Sequence, residues 1–141
     1  MKSFLLRKKK GEIRDKAELK KFNEIIKHPL LQSEDRATTF DSKTFYFNIK
    51  GLHYFTNKYY NELLKNSLKL VGLLAANPLI KNENNSITSL YNLLLVQIEL
   101  LKYEDALITI KKIRGLETRS AAMKARIFVT SYDTEINLYL R

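Results

Sequence analysis

Residues 87–115 read ITSLYNLLLVQIELLKYEDALITIKKIRG, and their pattern specifies an architecture. Leu90, Leu93, Leu94, Gln97, Ile98 and Leu101 recur at steps of three and four, which places one broad stripe on a helix. Ala106, Leu107, Ile110 and Ile113 mark a second amphipathic helix. Between them the polar break from Lys102 to Asp105 has room only for a tight reversal. The stretch therefore predicts a helical hairpin.

On these residues the hairpin resembles a tetratricopeptide repeat. That pattern runs from a large apolar residue to Leu-Gly and an aromatic in the first helix, then to Ala, an aromatic and Pro in the second. Leu90, Leu93-Leu94 and Gln97 stand at the first-helix positions, and Tyr103-Glu104-Asp105-Ala106 and Ile110 at those of the second. Leu94 replaces the Gly of the family, Gln97 its Tyr, and no Pro closes the unit. Ala106 has a physical role, since a small residue at a helix crossing lets two backbones approach.

A shift of 43 positions, which carries Tyr60 onto Tyr103, lays a second copy over the first. It aligns Phe47 with Leu90, Gly51 with Leu94, Tyr54 with Gln97, Leu63 with Ala106 and Leu70 with Ile113. The earlier copy supplies the Gly and Tyr that the later one lacks. The interval exceeds the family's ~34 residues, which a longer second helix through Leu73, Leu74 and Ala76 and a loop from Asn77-Pro78 to Ser86 would absorb.

Composition agrees with helices. The chain has 141 residues, the size of one domain, with 45% hydrophobic residues but only four glycines and two prolines. Cysteine is absent, which excludes disulfides and thiolate chemistry and fits a cytoplasmic setting. Near the N-terminus, the apolar run Phe4-Leu5-Leu6 is too short for a signal peptide core, and no run approaches the ~20 residues of a membrane span. The formal charge is +10, and residues 1–30 hold ten basic against four acidic side chains. Such a balance favours acidic partners. Residues 1–11 read as a basic tail and residues 12–141 as a single helical domain.

Along the chain, Asp15 and Glu18 have the form of a capping box for a helix carrying Ala17, Leu19, Phe22, Ile25 and Ile26, which His28-Pro29 ends. The spacing of Ala17 and Pro29 matches the second helix of a preceding repeat. Leu30-Leu31 reads as a loop anchor, and Ser33-Glu34-Asp35 as an early cap. A helix is expected over 44–57, and Phe45, Tyr46, Phe47, Tyr54, Phe55, Tyr59 and Tyr60 form an aromatic centre read as core. Its partner spans 60–76, and Ser86 would cap the next. Gly115 would terminate the second hairpin. From Thr118 to Arg141 one more helix follows, with Ala121, Ala122, Ala125, Phe128, Val129, Tyr132, Ile136 and Tyr139 as its apolar side. It resembles the first helix of a third repeat. No polar cap closes that edge, so further repeats, a partner or a second copy are expected to cover it.

Neither His28 nor His53 has a neighbour at metal-ligand spacing, and both read as structural. Glu99, Glu104 and Asp105 form no catalytic pair, and phosphate-binding and hydrolase motifs are absent. The chain reads as non-catalytic, with no cofactor. Resemblance to the family implies a ligand groove lined by Asn48, Leu52, Phe55 and Thr56 in one repeat and Tyr91, Leu95, Ile98 and Glu99 in the next. The Lys and Asn of chaperone-tail clamps are replaced by Asn48 and Leu52. Such a groove is apolar, suited to an amphipathic helix or an extended peptide; equally, its apolar residues could pack against a neighbouring helix of the same chain.

The expectation is thus an all-α domain of antiparallel helical hairpins, stacked as a short tetratricopeptide-like α-solenoid of about six helices. Its function is read as protein–protein interaction with a peptide or protein partner, acidic partners being favoured. The second reading is nucleic-acid binding through Arg7, Lys8, Lys9, Lys10, Lys20 and Lys21.

Overall fold

The computed structural model describes residues 16–77 and 82–140. Among these residues the fold is all-helical: α1 (Lys16–Ile26), α2 (Phe40–Thr56), α3 (Tyr60–Ala76), α4 (Glu83–Glu99), α5 (Tyr103–Arg114) and α6 (Ala121–Tyr139), with two short 3₁₀ turns at Pro29–Leu31 and Glu34–Arg36. Each helix packs against the next in sequence, and α6 also reaches back to α4. Connections of three residues between α2 and α3, and between α4 and α5, force the chain to reverse.

Side-chain caps mark where α2, α4 and α6 begin, and they differ in part from expectation. α2 begins at Phe40, before Thr44, because Thr39 and Ser42 form a reciprocal capping box. Ser33 accepts from the amide of Asp35 and starts only a 3₁₀ turn. Asn82 caps α4 through the amides of Asn84 and Asn85, so Ser86 is buried inside the helix. Gly115 follows α5 in ordinary right-handed geometry, φ −79°. Left-handed backbone occurs instead at Lys58 and Leu101, φ 58° and 59°. Asp15, the expected cap of α1, lies outside the described residues, as do the tail 1–11 and the loop residues 78–81.

α4 is the central helix, enclosed by α3, α5 and α6, which is why its apolar residues are joined by small polar ones. Ile87, Leu90, Leu94 and Ile98 pack with Ala106, Ile110 and Ile113 of α5 and Ile127 of α6. On another side Leu93 and Val96 pack with Leu63 of α3. Ala106 is fully buried at the α4–α5 crossing. Two buried polar bonds cross between helices: the Thr109 hydroxyl donates to Gln97 Oε1 at 2.7 Å, and Asn66 Nδ2 donates to the Phe47 carbonyl at 2.8 Å. Arg126 donates to Asn84 and, at 2.9 Å, to Thr88, tying α6 to α4.

α6 departs most from its sequence reading. Its buried side is Ile127, Ser131 and Thr134, with Met123 and Leu138 partly buried. Phe128, Val129, Tyr132, Ile136 and Tyr139, expected to face inward, are exposed. Arg114 of α5 explains the choice. Its guanidinium lies 3.8 Å from the Tyr132 ring centre, donates to Ser131 and pairs with Glu135, so a polar contact sets the helix's rotation.

Candidate functional site

The end of α1 is built by a compact set of local bonds. Phe22 and Ile26 are buried with Leu31, against Tyr46, Ile49 and Leu52 of α2. At Pro29 the helix stops, and Gln32 Nε2 donates to the carbonyl of Ile26 at 2.8 Å. His28 Nδ1 accepts from the Leu30 amide at 3.2 Å, capping the following 3₁₀ turn. The second turn is held to α3 by an ion pair of 2.6 Å between Glu34 and Lys69.

Between α1, the two turns and the start of α2 this leaves a cleft of about 800 Å³. Only one member of each apolar doublet can reach the core. Ile26 and Leu31 do so, while Ile25 and Leu30 are 52% and 58% exposed and line the cleft. Phe45 joins them at 57%, since three consecutive aromatics cannot share one face of a helix. Lys21, Lys27 and Arg36 border it against the single carboxylate of Glu24, with His28 beside them. Tyr46 lines the inner wall, and burial, then Tyr54 and Glu34, raise its phenol above the usual pKa and keep it a neutral hydrogen-bonding group. The arrangement has an apolar floor and a cationic rim, without a paired acid and base among its lining residues.

The expected groove residues do not meet in one place. Leu52 packs on the Phe22 cluster; Phe55 and Leu95 pack around Leu63, Leu93 and Val96; Tyr91 and Ile98 belong to the α4–α5–α6 core. Asn48 borders a narrow gap between α2 and α4 with Ser89 and Asn92. Thr56 is half-buried near the end of α2, and Glu99 is exposed. Of the expected cationic contacts, Lys20 and Lys21 are exposed on α1, and Lys21 alone lines the cleft. Arg7, Lys8, Lys9 and Lys10 lie outside the described residues.

Ile25, Leu30, Phe45, Lys27 and Arg36 were not singled out as a site by sequence. The available signal was the doublets Ile25-Ile26 and Leu30-Leu31 flanking a helix end. Among the described residues no three His, Cys, Asp or Glu side chains gather as metal ligands, and no helix is long and apolar enough to cross a membrane. Comparison with family models, with curated proteins and with solved structures finds no match to this chain.

Proposed function

We propose that the chain is a non-catalytic interaction module, a short solenoid of tetratricopeptide type, whose α1–α2 cleft docks an acidic amphipathic segment of a partner protein. The carrying observation is the convergence of Ile25, Leu30 and Phe45 within a rim of Lys21, Lys27 and Arg36. Three exposed apolar side chains in one concavity supply the anchors of a helix-in-groove mode, and the rim supplies charge complementarity. Solenoid stacking is supported by the packing of successive helices, by the α4–α6 contact one helix further on, and by the shared turn geometry of the two hairpins.

The test is fluorescence anisotropy with a labelled peptide of about 15 residues, Glu-rich with Leu at helical spacing. Its controls are a scrambled peptide of the same composition and a random-sequence RNA. The expected result is micromolar binding of the patterned peptide alone, weakened roughly tenfold or more by Phe45→Glu or Arg36→Glu, as befits an anchor and a rim charge. Equal binding of the scrambled peptide overturns the site. Salt-sensitive RNA binding that survives Phe45→Glu, without peptide binding, moves the function to the basic N-terminal segment.

A further inference from the structure

The exposed stripe of α6 is self-complementary. At 100° per residue, Ala121, Ala125, Phe128, Tyr132, Ile136 and Tyr139 share an arc of about 80°, and Val129 and Leu140 widen it to about 120°. Phe128 is 63% exposed, Ile136 58% and Tyr139 74%. The stripe is graded by size. Its N-terminal end exposes the small side chains of Ala121 and Ala125, Phe128 stands near the middle, and its C-terminal half exposes Tyr132, Ile136 and Tyr139. An antiparallel copy therefore sets small residues against large ones along the contact.

The charges bordering the stripe obey the same symmetry. Lys124 and Glu135 border one edge, Arg126 and Asp133 the other. In an antiparallel pair related by a two-fold axis, each edge faces the same edge of the other copy. An axis between Val129 and Thr130 then sets Lys124 opposite Glu135 and Arg126 opposite Asp133, both at once. A parallel pair would instead bring Lys124 towards Arg126 and Glu135 towards Asp133, like against like. Arg126 and Glu135 already hold partners within the chain, but a guanidinium has five donors and a carboxylate about four acceptor sites, so each can take another. α6 is formally neutral within a chain of +10, so this face is spared the charge that elsewhere opposes self-association.

The area is sufficient. At about 200 Å² for a fully exposed large side chain, the stripe offers on the order of 700 Å² per copy, and pairing would bury up to about 1,400 Å², inside the range of specific interfaces. We infer that α6 is a homodimerisation helix that pairs antiparallel with α6 of a second copy about a two-fold axis near Val129.

Sedimentation of the full chain against concentration, joined to cysteine cross-linking, tests this. The chain has no cysteine, so a single one reports its own position. The expected result is a reversible dimer that Ile136→Glu weakens roughly tenfold or more, the change for an interface anchor. Val129→Cys should oxidise to a covalent dimer, because the two copies of that position meet at the axis. Tyr139→Cys should not, because its copies are about 28 Å apart along the helices at 1.5 Å per residue. All three substituted residues are exposed, so folding is not at stake. A monomer at all concentrations, cross-linking at both positions as in a parallel pair, cross-linking at neither, or a dimer indifferent to Ile136→Glu each overturns the inference.

Discussion

Lys58 and Leu101 stand 43 positions apart and share one backbone state, φ 58° and 59°, immediately after α2 and α4. The bonds around them match as well. The Tyr59 amide donates to the Tyr54 carbonyl and the Lys102 amide to the Gln97 carbonyl, each at 2.8 Å, closing the helix ends in the Schellman manner. The shift that overlays Tyr60 on Tyr103 in the sequence therefore brings into register two turns of the same backbone state and bonding, and α2–α3 and α4–α5 reverse direction in the same way.

Left-handed backbone costs a residue with a Cβ about 1–2 kcal/mol, and glycine is the usual occupant of this position. Lys58→Gly and Leu101→Gly are each expected to stabilise the fold by about 0.5–1 kcal/mol, once the added freedom of the unfolded chain is allowed for. Urea unfolding measures this. A loss of stability would show that the side chains, Leu101 being 68% exposed, contribute more through packing than their backbone costs.

The core around α4 sets the largest stability terms. Leu94 and Ile113 are fully buried and Ile110 is 1% exposed. Ile110→Ala should cost about 2–5 kcal/mol through lost burial and the cavity left behind. Ile108→Ala, one turn-face away and 53% exposed, should change stability by about 0.5 kcal/mol or less. Equal effects in thermal unfolding would contradict the rotation of α5.

How much could be read in advance follows from which forces set each element. Hairpins were legible because Leu90, Leu94, Ala106, Ile110 and Ile113 are buried by their spacing alone, and a short polar break must be a reversal. The span of α3, 60–76, was also legible, since Asn77 bounds it. What periodicity did not give was the rotation of α6. α6 presents Ser131 and Thr134 inward because Arg114 reaches Tyr132, Ser131 and Glu135 from another helix, a contact invisible to periodicity. The resemblance placed Leu52, Phe55, Tyr91 and Leu95 in one groove, but each packs on a neighbouring helix. The cleft came from doublets, Ile25-Ile26 and Leu30-Leu31, whose second members the core takes and whose first it leaves outside.

Gln97 and Thr109 form a buried polar bridge between α4 and α5, 5% and 2% exposed. Thr109→Val keeps the shape but leaves the Gln97 side chain without this partner, and should cost about 1–3 kcal/mol. Replacing Gln97 by Leu in the same chain removes the stranded group, so the double variant should recover part of that loss. Strict additivity in a double-mutant cycle would show that the two groups do not interact.

His53 carries the clearest pH dependence. Its ring lies among Phe22, Tyr54 and Tyr59, and burial, followed by the nearby charge of Lys50, lowers its pKa beneath the ordinary 6.5. The unfolded chain thus takes up this proton at higher pH than the folded one. Protonation favours unfolding, so the stability associated with the neutral ring is present above about pH 6.5 and is lost as pH falls through the folded value. The melting temperature should fall more between about pH 7.5 and 5 in the native chain than in His53→Gln, whose side chain does not titrate. Parallel curves for the two proteins would mean that the folded ring is as well solvated as the unfolded one, and that the aromatic setting around it leaves its proton affinity unchanged.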